Sequence, residues 1–121
     1  MVKALFDTNI LIDYLGGISA AKKELARYDQ RAISTITWME VLVGASAEEE
    51  KLIRAWLGTF DVLPVDNAVA NRAVEIRKTR RIRLPDAIIW ATAQVQSMLL
   101  VSRNTKDFPA DEPGVRAPYK V

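Results

Sequence analysis

Short apolar runs alternate along this chain with longer stretches in which apolar residues recur every three or four positions. The opening run, residues 2–6, is short and apolar-rich and predicts a buried strand. Residues 8–15 (TNILIDYL) predict a helix, broken by Gly16 and Gly17. Residues 19–28 predict a second helix with Ser19 as its N-cap, residues 31–35 a short strand, and residues 37–45 a helix. The segment from Ser46 to Glu49 matches a capping box and predicts the start of another helix. That helix carries Leu52, Ile53, Trp56, Leu57 and Phe60 at helical spacing, which assigns Trp56 and Phe60 to a core or interface.

Residues 61–65 predict a strand, and Asp66 can cap a helix running to about Arg80. Pro85 suits the first turn of a helix over residues 86–97. Residues 98–102 form a compact apolar strand, and residues 115–119 a last one. Strands alternating with helices predict an α/β fold, with a central, mainly parallel sheet covered on both faces.

Composition narrows the chemistry. The 121 residues suit one domain, and 50% hydrophobic with 26% charged residues is ordinary globular usage. There is no cysteine, which excludes a disulfide scaffold, a thiolate metal site and a cysteine nucleophile. There is no histidine either, which removes Ser-His-Asp catalysis and every His-bearing zinc site. Catalysis must use carboxylates, amines, hydroxyls, or a metal held by oxygen. No apolar run reaches the ~20 residues of a transmembrane helix, and the start of the chain lacks a signal-peptide pattern, so a cytoplasmic protein without membrane contact is expected.

The net charge is +2, and its distribution is uneven. Residues 1–61 carry seven basic and nine acidic side chains, and residues 62–121 carry ten and six. The excess gathers at Arg72, Arg77, Lys78, Arg80, Arg81 and Arg83, opposed only by Glu75. Such a cluster is either a solvated helix face or a surface for phosphates.

Four carboxylates stand in unusual places. Asp7 follows the first strand, where ligand sites of open α/β sheets lie, although it could simply cap the next helix. Glu40 is the only charge in ITWMEVLVGA, an apolar setting that demands an ion pair or a metal. Asp86 opens LPDAIIWATAQV, apolar nearly all round, where it too could be a cap. Asp107 follows the strand 98–102 after a short turn. Two carboxylates about 4 Å apart repel by roughly 4 kcal/mol at an effective dielectric of 20. Gathering several without a cation is therefore unfavourable, and Mg²⁺, with Mn²⁺ as the alternative, suits an all-oxygen site.

These segments resemble those of PIN-domain ribonucleases, specifically the VapC-type toxins of prokaryotic type II toxin–antitoxin modules. The carrying stretches are FDTNILIDYL around Asp7, STITWMEVLVG around Glu40, LPDAIIWATA around Asp86 and LLVSRNTKDF with Asp107. They occur in the family's order and span essentially the whole chain. The resemblance implies a PIN-like α/β/α sandwich over residues 1–121. It also implies metal-dependent endonucleolytic cleavage of RNA, a homodimer, and inhibition by a cognate antitoxin.

Asp7, Glu40 and Asp86 match the family's three acidic metal-site positions. At the fourth, many relatives carry an acid where Asn104 stands, whereas others read Asn there and Asp at position 107. Asp107 is therefore assigned as the fourth acid, with Asn104 supporting it. Thr8 and Ser102 have hydroxyls suited to bonding these carboxylates. WATA stands where AATA is more usual, so Trp90 alters packing rather than chemistry.

Without histidine, a metal-activated water is the natural attacking group for a phosphodiester, held by one ion or two. Arg77, Arg80 and Arg81 are the candidate RNA-backbone contacts. Three other readings compete. An aspartyl-phosphate phosphatase needs a second Asp where Asn9 stands. A non-catalytic nucleic-acid-binding module would use the basic 72–83 stretch but gains nothing from the acids. A structure-specific DNA nuclease of the same superfamily ordinarily carries extra elements.

Overall fold

A computed structural model describes residues 2–120. The elements run β1 (Lys3–Phe6), α1 (Thr8–Leu15), α2 (Ser19–Ala26), β2 (Gln30–Ser34), α3 (Thr35–Val43), α4 (Glu50–Leu57), β3 (Asp61–Leu63), α5 (Asn67–Arg80), α6 (Leu84–Val95), β4 (Leu99–Val101) and β5 (Val115–Arg116). The sheet order is β3-β2-β1-β4-β5, and every pairing is parallel. The chain fills one side of β1 first and then crosses to the other. That places a topological switch point between β1 and β4, where open α/β sheets bind ligands beyond their carboxyl ends.

Alternation along the strands separates two cores. Leu5, Ala32 and Leu100 face α5 and α6, packing with Val69, Ala73, Ile76, Ile89 and Trp90. Ala4, Phe6, Ile33 and Val101 face the other way, onto Ile10, Leu11, Leu25, Val41, Ile53 and Leu57 of α1 to α4. Each fully buried Leu, Ile or Phe contributes ~1.5–3 kcal/mol. Both faces of the inner strands are thus covered, as the expected sandwich requires. Phe60 is buried, and Trp56 packs face to face on Tyr14 with ring centres 4.7 Å apart. Trp90 is buried edge-on against Phe108, at 5.4 Å.

Several element ends differ from the sequence expectation. Ser19 is the first helical residue of α2 rather than its cap; the cap position is Ile18, without a side-chain bond. Ser34 caps α3 by accepting from the Ile36 amide at 3.1 Å, so that helix starts two residues earlier than 37. Ser46 accepts from the Glu49 amide at 3.2 Å and donates to its carboxylate at 2.8 Å, closing a turn that leads into α4. Asp66 caps α5 through the Val69 amide, at 2.9 Å. The last strand ends at Arg116 rather than 119, because Pro118 has no N–H to offer a ladder. Arg77, Lys78 and Arg80 occupy the last turn of α5, where positive charge offsets the helix dipole.

Candidate active site

The carboxyl ends of β1 and β4 open into a cleft of about 390 Å³, lined by Asp7, Thr8, Asn9, Ile12, Glu40, Arg83, Asp86, Arg103, Asn104 and Asp107. All four acids singled out in the sequence therefore reach one place from four separate segments. A slightly larger, mostly apolar hollow of about 450 Å³ lies at the amino end of β4, around Trp90, Met98 and Leu99, and contains no carboxylate.

Asp7 is the most constrained of the four. It does cap α1, accepting from the Thr8 amide at 2.8 Å through Oδ1. Its Oδ2 accepts from the Ser102 hydroxyl at 2.6 Å and from Asn9 Nδ2 at 3.1 Å. Burial pushes its carboxyl up to about 6, against the Ser102 and Thr8 hydrogen bonds, and the charges of Asp86 and Glu40 add to the rise. Glu40 projects from α3 and accepts from the Thr8 hydroxyl at 2.7 Å; Thr37 Oγ1 stands 3.0 Å from that hydroxyl.

Asp86 lies in the first turn of α6, whose cap position is Arg83, so it is not the helix cap. Burial raises its carboxyl, Arg83 beside it at 3.5 Å opposes the rise, and Asp107 adds to it. Asp107 and Asn104 hold each other: Asn104 Nδ2 donates to Asp107 Oδ2 at 3.0 Å, and the Asp107 amide donates back to Asn104 Oδ1 at 3.3 Å. Ser102 is the hub of the β4 side, since its Oγ also accepts from the Asn104 amide at 3.0 Å.

The donor set is all hard oxygen, which fits Mg²⁺ or Mn²⁺. Among the described residues no three acids lie close enough together to hold one ion between them. Mg²⁺ does not demand that, because it keeps several waters and accepts one or two carboxylates. Burial is the chief cause of the raised Asp7 carboxyl, with the charges of Asp86 and Glu40 adding to it, and a divalent cation beside it would favour the ionised form.

Two cations line this cleft that the sequence alone does not place there. By local sequence Arg83 belongs with the α5 cluster and Arg103 with a turn. Asn9 and Asp13 likewise escape sequence reasoning; their four-residue spacing on α1, one helical turn, is the signal available. Arg77, Arg80 and Arg81 are exposed and lie outside the cleft lining. Arg80 is engaged, pairing with Glu112 at 2.8 Å and lying 4.9 Å from the Trp90 ring centre.

Residues 4–110 match the PIN domain family. The chain belongs to that family. Over 125 aligned residues this PIN domain is 34% identical to a Mycobacterium tuberculosis protein, Ribonuclease VapC10, covering 97% of this chain and 93% of the relative. It superposes on a chain of a toxin–antitoxin complex from Klebsiella pneumoniae with a TM-score of 0.93 and 49% identity, covering 98% of this PIN domain and all of that chain. FitAcB from Neisseria gonorrhoeae shares the fold, at a TM-score of 0.82 and 24% identity over 98% and 99% of the two chains. No helix of the described residues is long and apolar enough to cross a membrane.

Proposed function

We propose that this PIN domain is an endoribonuclease that acts as the toxin of a toxin–antitoxin pair, cutting RNA phosphodiesters with Mg²⁺ or Mn²⁺ bound among Asp7, Glu40, Asp86 and Asp107. The observation that carries the reading is the meeting of four carboxylates from four segments in one cleft of a chain without histidine or cysteine. Likeness to Ribonuclease VapC10 supports RNA as the substrate, and likeness to a chain of a toxin–antitoxin complex supports an antitoxin as the partner. In this reading residues 1–121 form one nuclease domain, and it works in the cytoplasm as a homodimer.

A bound divalent ion supplies acidity to a coordinated water and offsets charge on the phosphodiester. The chain's own residues supply position. Ser102, Asn9 and the Thr8 amide fix both oxygens of Asp7. Thr8 couples the start of α1 to Glu40 on α3, so the two acids keep one relative placement. Asn104 does the same for Asp107. Arg77 and Arg80 in the last turn of α5, and Arg81 just after it, are exposed and would contact the RNA backbone beyond the cut.

Incubating the purified chain with labelled RNA and DNA of matched sequence, with Mg²⁺, Mn²⁺ or EDTA, tests this function. Metal-dependent cutting of RNA supports it. Cutting of DNA alone favours the structure-specific DNA nuclease, and binding without cutting favours the non-catalytic module.

A further inference from the structure

Arg103 directly follows Ser102, and its side chain is held on α1 like a bracket. Its Nε donates to Asp13 Oδ2 at 2.6 Å and its Nη2 to Asp13 Oδ1 at 3.0 Å. The Tyr119 hydroxyl donates to Asp13 Oδ2 at 2.8 Å, bringing the end of the chain into the same arrangement. The Arg103 amide donates to Asn9 Oδ1 at 3.4 Å, one helical turn before Asp13, and Asn9 also holds Asp7. Asp13 is 7% exposed, whereas the Arg103 side chain is 36% exposed and lines the acid cleft.

A guanidinium has five N–H donors. Asp13 takes two, which leaves three for a ligand in a cleft otherwise dominated by acids. Arg83, the other cleft cation, is 77% exposed and lacks such a bracket. An arginine fixed by a buried carboxylate loses little entropy when it forks a phosphate, which is the chemistry this side chain fits best.

We propose that Arg103 binds a phosphate of the RNA strand beside the cut, with Asp13 and Tyr119 as positioning residues that hold its guanidinium in place. The inference rests on the ribonuclease reading above. It distinguishes Arg103 from a plain tether for the tail, the role that Arg116 plays on buried Glu24, away from the cleft, at 2.7 and 3.0 Å.

The test uses Arg103→Gln, Asp13→Asn and the double variant of both. The double variant replaces the ion pair with a neutral amide pair, so no buried carboxylate is stranded if the single change disturbs folding. Cleavage of a short single-stranded RNA in Mn²⁺ gives KM and kcat. Binding of the same RNA, fluorescein-labelled, is followed over a salt series in EDTA.

Arg103→Gln and the double variant should raise KM about tenfold, as loss of a charged hydrogen bond does, with kcat nearly unchanged. Their binding should lose about 0.7 from the slope against log salt, the value of one neutralised phosphate on a single strand. Asp13→Asn keeps the cation, so it should retain the slope while KM rises by a smaller factor. Wild-type KM and slope in the folded double variant overturn the proposal and leave Arg103 as a tether. A wild type that binds RNA but never cuts it overturns the ribonuclease reading alone, because the slope still reads the Arg103 phosphate. A wild type that neither cuts RNA in Mn²⁺ nor binds it overturns both.

Discussion

Asp7 makes the cost of the acidic cleft measurable. Its carboxyl is raised from 3.8 to about 6, chiefly by burial. At 1.36 kcal/mol per pH unit, that rise of about 2.2 is worth ~3 kcal/mol. The sign follows from linkage: a raised folded value contributes stability that is fully present below 3.8 and lost as pH rises through about 6. Asp7→Asn is neutral at every pH. It carries a fixed cost of ~1–3 kcal/mol, because an NH2 group replaces one of the two oxygens that Thr8, Asn9 and Ser102 bond. That cost does not change with pH, so the difference between variant and wild type isolates the charge.

In EDTA, urea unfolding from pH 4 to pH 8 should show the variant gaining ~2.4 kcal/mol on wild type, most of it between pH 4 and 6. In thermal unfolding this corresponds to a relative shift of about 10 °C for a chain of this size. Asp13 and Glu24, both held below their ordinary values by hydrogen bonds from Arg103 and Arg116, keep those partners in both proteins and cancel in the difference. Excess Mg²⁺ at pH 8 should return about 2.7 kcal/mol to wild type at a hundredfold over Kd, and much less to the variant. A variant-minus-wild-type difference that stays flat from pH 4 to pH 8 would refute the reasoning, because Asp7 would then not be held against its own charge.

Asp86 gives a related contrast at the mouth of the cleft. Because its carboxyl is raised and it does not cap α6, Asp86→Asn in EDTA at pH 7 should be as stable as wild type or more so, and metal should stabilise it less. A destabilised variant with the wild-type response to metal, read from thermal midpoints, contradicts this. On the basic face, neutralising Arg77, Arg80 and Arg81 together should flatten the salt dependence of RNA binding by about 0.7 for each phosphate no longer neutralised. Reverting Arg80 alone should restore least, because Glu112 already occupies it; an unchanged slope in the triple variant makes the patch a solvated helix end.

The order of strands and helices was legible because each element carries a strong local signal: apolar runs for β1 and β4, helical spacing in α4, Asp66 before α5. The element ends were less so. Ser19 and Ser34 are both serines near helix starts, yet only Ser34 turns its hydroxyl onto the helix amides. Which hydroxyl caps is decided by the backbone leaving the preceding segment, which local sequence does not encode. In the cleft, the acids stood out because a charge among apolar residues is costly wherever it lands. Arg103, Asn9 and Asp13 did not, because nothing local marks an arginine in a turn or a polar pair on a helix. Their meeting depends on β4 lying beside β1, a pairing between residues about 90 positions apart in the chain.

RNA cleavage by the purified chain, measured against free Mg²⁺ or Mn²⁺ for wild type and Asp7→Asn, tests the central claim most directly. Wild type should cut RNA with a saturable dependence on the ion and stop in EDTA. Asp7→Asn should fold, as circular dichroism would show, and cut slower by two or more orders of magnitude (~3 kcal/mol or more in the barrier). Cleavage by wild type at an undiminished rate in EDTA, or by Asp7→Asn at the wild-type rate, would contradict the account.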